Sequence, residues 1–159
     1  MAALTPAVPD KAEILPLVET TLAWDLRGPH LPSIVVALNM VEKFTEFGRA
    51  AADDLRTGCL SIPADSEAGI GAQATLGQAA GLLYLSPPHA SQELAAHRAQ
   101  NLAHLVHRLV ETAEEVRQEQ ERSAGGNPQH ARGERSPLTV LSPRESAQRE
   151  RGGNGGDDL

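Results

Sequence analysis

Four aromatic rings serve a chain of 159 residues: one Trp, one Tyr and two Phe. The core must therefore be filled by Leu, Val, Ile and Ala. Ala and Leu are strong helix formers, whereas the β-branched and aromatic residues that favour strands are sparse. Apolar residues make up 40% of the chain, enough for one core, and the length suits one domain. The expected class is all-α, and the apolar periodicity predicts four helices.

Residues 1–14 read as a flexible lead-in. Asp10 and Glu13 have capping-box spacing, but Pro16 lacks the N–H that would bond residue 12. The first helix is therefore expected from about Leu15, with Pro16 in its first turn and Leu15, Val18, Leu22 and Leu26 on its apolar side. Gly28-Pro29 ends it. A second helix is expected from Pro32 or Ser33 to Gly58, with Ile34, Leu38, Val41, Gly48, Ala52 and Leu55 on one face and Phe44 beside them. The third follows a cap at Asp65 or Ser66 and runs to about Leu83. Its stripe is expected to be Ile70, Ala74, Gly77, Gly81 and Leu83 or Tyr84. Glycine inside a helix costs about 1 kcal/mol against alanine, so Gly77 and Gly81, sharing a face, are expected to admit a closely packed neighbour. Ser91 caps a fourth helix, whose seam is Leu94, Leu102, Leu105, Leu109 and Val116 and whose pattern carries to about Gln120. Short connections make neighbours antiparallel. The architecture expected is a four-helix bundle over residues 15–121.

From Arg122 the composition changes to seven Gly, three Pro and four Ser in 38 residues. So little apolar surface does not repay the entropy of ordering, and 122–159 is expected to be a disordered tail. Its one apolar island, Ser136 to Pro143, has the form of a docking motif, although chance clusters of this kind are common. The tail carries six Arg and five acids; residues 1–121 carry eight basic and sixteen acidic groups. An acidic domain repels phosphate backbones, so neither nucleic acid nor an anionic membrane surface is an expected partner. No apolar run approaches the ~20 residues of a membrane span, and the N-terminus lacks the features of a signal peptide. The single cysteine, Cys59, forms no intramolecular disulfide and no thiolate-rich zinc site. A cytoplasmic location is the expectation.

Chemistry-bearing patterns are few. Gly69-Ile-Gly71-Ala-Gln-Ala74 fits GxGxxA, but a dinucleotide site needs a preceding strand and a later acid that this context lacks. A small-residue helix face is the favoured reading. On the fourth helix His97, His104, His107 and Glu111 fall near one strip, and imidazole with carboxylate suits zinc or iron. His104, His107 and Glu111 are the candidate metal ligands. Gln100, Asn101 and Arg108 share that side of the helix, however, so a solvated polar face is favoured over a metal centre. Cys59 reads as a small apolar side chain rather than a nucleophile. No nucleophile elbow, P-loop or H-E-x-x-H is present, and no catalytic residue or cofactor is expected.

Leu76-Gly77-Gln78-Ala79, the Pro-rich break after the third helix, and Arg98-Ala99-Gln100-Asn101-Leu102-Ala103-His104-Leu105-Val106 resemble a small helical domain family of actinobacteria, over about residues 31–116. Its members are often encoded beside natural-product gene clusters. The resemblance implies no catalytic residue, and it implies an exposed position at His104, where the family commonly carries arginine. The expected function is that of a non-enzymatic accessory or regulatory protein with a protein partner, with a link to secondary metabolism implied by the resemblance. The alternative is a metal- or small-ligand-binding bundle that uses His104, His107 and Glu111.

Overall fold

The computed structural model of the chain describes residues 8–86 and 91–126. They form four helices: α1 (Lys11–Leu22), α2 (Ile34–Cys59), α3 (Glu67–Leu83) and α4 (Gln92–Gly125). No strand occurs among the described residues, and the all-α bundle is as expected. Each helix begins at a polar cap. Ser33, Ser66 and Ser91 accept from the backbone N–H of Val36, Gly69 and Leu94. Asp10 accepts from Ala12 and Glu13 at 2.6 and 3.0 Å while the Glu13 carboxylate accepts from the Asp10 N–H, a complete capping box. These bonds satisfy N–H groups that have no partner inside the helix.

The capping box corrects one expectation. α1 starts at Lys11, not Leu15, so Pro16 lies inside it and residues 11–14 are helical rather than part of the lead-in. Pro16 forfeits only the bond to Ala12, and both residues are exposed, so the freed carbonyl is on the solvent side of the helix and is not buried unsatisfied. We expect Asp10→Ala to lower stability by about 1 kcal/mol, read as a small drop in the thermal midpoint with no change in final helicity.

α4 packs against all three other helices and lies at the centre of the bundle. Phe44, Ile14, Val18, Leu55, Leu83, Leu102, Val106 and Leu109 are fully buried around it. A smaller cluster of Ala37, Ala95 and Ala96 is covered by Trp24, Leu26, Leu31 and Ile34. A buried hydroxyl pair, Thr75 and Thr112 at 3.1 Å, ties α3 to α4, and Thr75 also donates to the Gly71 carbonyl.

Polar side chains of α4 finish the other helices. The last carbonyls of a helix have no intrahelical partner. The Gln100 amide donates to Thr21, Leu22 and Trp24 carbonyls at the end of α1. Gln120 donates to Gly58 at the end of α2 (3.0 Å). Arg98 donates to Leu82 at the end of α3 (2.7 Å). Gln92 reaches Pro32 before α2 (2.9 Å). Arg49 of α2 adds a bond to the Leu83 carbonyl (2.9 Å) and lies over the Tyr84 ring, 5.2 Å from its centroid. Both arginines place positive charge at the negative end of the α3 dipole.

Further expectations change: α1 ends at Leu22, so Leu26 lies beyond it, and Leu38, expected on the apolar face of α2, is exposed. α4 continues to Gly125, past the boundary set at residue 121. The remainder of the expected tail, 127–159, lies outside the described residues, as do 1–7 of the lead-in. Leu94 is exposed, and the α4 seam is carried instead by Ala95, Ala96, Ala99, Leu102, Leu105, Val106, Leu109 and Val116. In α3 the buried face is Ala68, Gly69, Ala72, Thr75, Ala79 and Leu83, so the stripe expected inside, Ile70 to Gly81, points outward. A Cβ at Gly77 or Gly81 would meet no atom within 4 Å. The close helix contacts are at Gly48, where a Cβ would come 2.7 Å from Leu83 Cδ2, and at Gly69, where it would come 2.6 Å from the Pro63 carbonyl oxygen.

Candidate functional site

The imidazoles of α4 stand in solvent. His97, His104, His107 and Glu111 are all exposed. His97 Nε2 is 4.0 Å from Glu93, and His107 Nδ1 is 3.6 Å from Glu111 Oε2, with Arg108 Nη1 3.8 Å from the same carboxylate oxygen. Among the described residues no group of three or more His, Cys, Asp and Glu side chains is arranged to hold a metal ion. His104, His107 and Glu111 therefore do not converge as a ligand set. Arg108, fixed in charge, sits beside them and opposes a cation.

Two of the three do share a groove. It runs between α3 and α4 with a volume of about 610 Å³, lined by Gln78 and Leu82 on one side and by Asn101, His104, Leu105, His107 and Arg108 on the other. Glu111 is absent from its lining. A second cleft of about 440 Å³ lies against Phe47 and Leu109, with Asp54, Lys11, Glu114 and Arg117 at its edge. There Arg117 bonds Glu114 and Glu121, and its hydrogen bond holds the Glu114 carboxyl below the usual carboxylate range. Arg117 and Glu114, at the edge of that cleft, are thus already paired with each other.

The remaining sequence candidates are used structurally. Gly69-Ile-Gly71 lies within the first turns of α3, where the Gly69 N–H donates to Ser66 Oγ and the Ile70 N–H to the Ser66 carbonyl. Its first amides serve the cap and helix, so no phosphate cradle is formed. Cys59 ends α2 half-buried, and burial pushes its thiol pKa up, away from the thiolate a nucleophile needs. The apolar island Ser136 to Pro143 lies outside the described residues.

The most anomalous surface is the outward side of α3. From Ala68 to Leu85 the chain carries no charged side chain. Ile70 is 60% exposed and Tyr84 67%, with Ala74, Gly77 and Gly81 open between them. At 100° per residue these five positions follow one strip. The outer faces of α2 and α4 carry Glu42, Lys43, Asp53, Asp54, Glu111 and Arg117, the usual solvent-facing charges. Residue periodicity missed this face because α3 is nearly apolar all round and offers two equivalent stripes. The absence of charge over eighteen residues was the signal for it.

Compared with protein families, with curated proteins and with solved structures, the chain finds no match. Among the described residues no helix is long and apolar enough to cross a membrane.

Proposed function

We propose that this chain is a non-enzymatic accessory or regulatory protein that docks a protein partner on the outward face of α3. The observation that supports the reading is that face itself: an uncharged strip from Ile70 to Tyr84 with small residues in the middle. Scattered exposed apolar residues are ordinary on a protein surface, but a continuous strip is a feature of interaction sites. Gly77 and Gly81 leave the backbone bare, so a partner helix can approach closely. Because α3 contributes no charge to the strip, and only Arg49 lies over its Tyr84 end, the partner segment is an apolar or amphipathic helix that presents no unpaired charge to its middle. The resemblance over residues 31–116 makes secondary metabolism the setting in which to seek that partner first.

The test compares the full chain with Gly77→Glu, a change placed where no neighbouring atom is disturbed. Affinity purification from the native host, read by mass spectrometry, is expected to recover a protein in stoichiometric amount with the wild type and to lose it with the variant, which melts no lower than the wild type. Equal recovery by both would sink the assignment of the face. A pure wild-type chain that sediments as a dimer, and a variant that sediments as a monomer, would give the face to a second copy instead.

A further inference from the structure

We propose that the groove between α3 and α4 binds a small organic oxyanion: a carboxylate on an apolar body. This inference is independent of the α3 outer face. The observation behind it is the sign of the lining. In a chain of net charge −7, this groove is walled by a guanidinium (Arg108), two imidazoles (His104 and His107) and two amides (Gln78 and Asn101), with no carboxylate among them. All five present N–H donors, and an arginine offers a planar fork that matches a carboxylate. Leu82 and the buried Leu105 form the apolar part of the wall. The groove is open to solvent along its length, and its volume of about 610 Å³ is within the usual size of a small-molecule site.

The charges around the groove define how it behaves. Glu111, outside the lining, lies 3.8 Å from Arg108 and 3.6 Å from His107, beyond good hydrogen-bond geometry with either. It competes weakly for the donors an anionic ligand would use. A bound carboxylate would accept from Arg108 and from the imidazole N–H groups, and its hydrocarbon or ring would lie on Leu82 and Leu105. A metal ion is disfavoured by the same residues, because Arg108 repels it and no three ligands converge.

The experiment is a titration of the full chain followed by amide NMR, with 2-naphthoate as the probe and 2-naphthalenemethanol as its neutral counterpart. Naphthoate is expected to shift the amides of Gln78, Leu82, Asn101, Leu105 and Arg108, with the alcohol binding about tenfold more weakly or worse, since charge-assisted bonds are lost. Arg108→Gln should weaken naphthoate by about tenfold and leave the alcohol unchanged. Glu111→Gln should strengthen naphthoate by about threefold, since it removes the competing anion. Both positions are exposed, so the variants should melt like the wild type. Groove amides unmoved at millimolar naphthoate, acid and alcohol binding alike, or weaker binding in Glu111→Gln would each overturn the proposal. The last outcome would revive a site in which Glu111 is itself a ligand.

Discussion

Phe44→Ala is expected to destabilise the bundle by about 3–5 kcal/mol, the usual cost of emptying a phenyl-sized site in a core. Phe44 is the largest side chain with no solvent exposure, and it belongs to the core cluster that joins all four helices. With two Phe, one Tyr and one Trp in the chain, Tyr84 on the surface and Trp24 and Phe47 only partly buried, no second aromatic shares its place. The buried cluster it belongs to is otherwise made of Leu, Val, Ile and Ala, which do not expand to fill a cavity. A domain of this size is stable by about 5–15 kcal/mol in total, so the loss is a large fraction of the whole. Chemical denaturation read by circular dichroism checks it. A loss under about 1 kcal/mol would mean that the core collapses around the gap, contrary to close packing.

A second large effect is expected at Gly69, paired with none at Gly77. Gly69→Leu should cost about 3 kcal/mol: the new Cβ would lie 2.6 Å from the Pro63 carbonyl oxygen and 3.0 Å from that of Ala64, both backbone atoms of the turn that sets the Ser66 cap. Backbone atoms cannot step aside as a side chain can, so the clash is relieved only by shifting the turn or the helix start. Gly77→Leu meets open space and should be neutral or stabilise by up to about 1 kcal/mol, because glycine is the poorer helix former. Thermal and urea melts of the two variants decide it. Equal losses would show that the outer face of α3 is covered in the isolated chain.

That pair of glycines shows where sequence reading succeeds and where it stops. Strong amphipathic patterns were legible. Leu102, Leu105, Leu109 and Val116 are flanked by charged and polar residues, which leaves one way to turn α4, and all four are buried. At the third helix the sequence offered Asp65 or Ser66, and packing of the turn selects Ser66; the cap at Ser91 was legible because it precedes a helical run that needs an acceptor. α3 was not, since Ile70, Ala74 and Gly81 make as good a stripe as Ala68, Ala72 and Ala79, and only packing against α2 and α4 chooses between them. Gly77 read as a close contact because glycine has two uses in helices, and sequence does not say which. The metal-like spacing of His104, His107 and Glu111 was legible, but spacing along a helix is not convergence in space. The α3–α4 groove needs Gln78 and Leu82 from another helix, and no pattern within α4 announces them.

The capping of α1, α2 and α3 by side chains of α4 has a consequence for how the protein is made. Ribosomes deliver the chain from its N-terminus, so α1, α2 and α3 emerge before the residues that complete them. Until Gln92 to Gln120 have been synthesised, the end carbonyls of α1, the Gly58 carbonyl of α2 and the Leu82 carbonyl of α3 wait for Gln100, Gln120 and Arg98, and all three lack the helix on which most of their apolar faces pack. Short helices without tertiary packing are marginal in water. The nascent chain therefore gains little from folding in stages. It is exposed to chaperones and to aggregation through most of its synthesis, and it becomes a bundle only when α4 clears the exit tunnel.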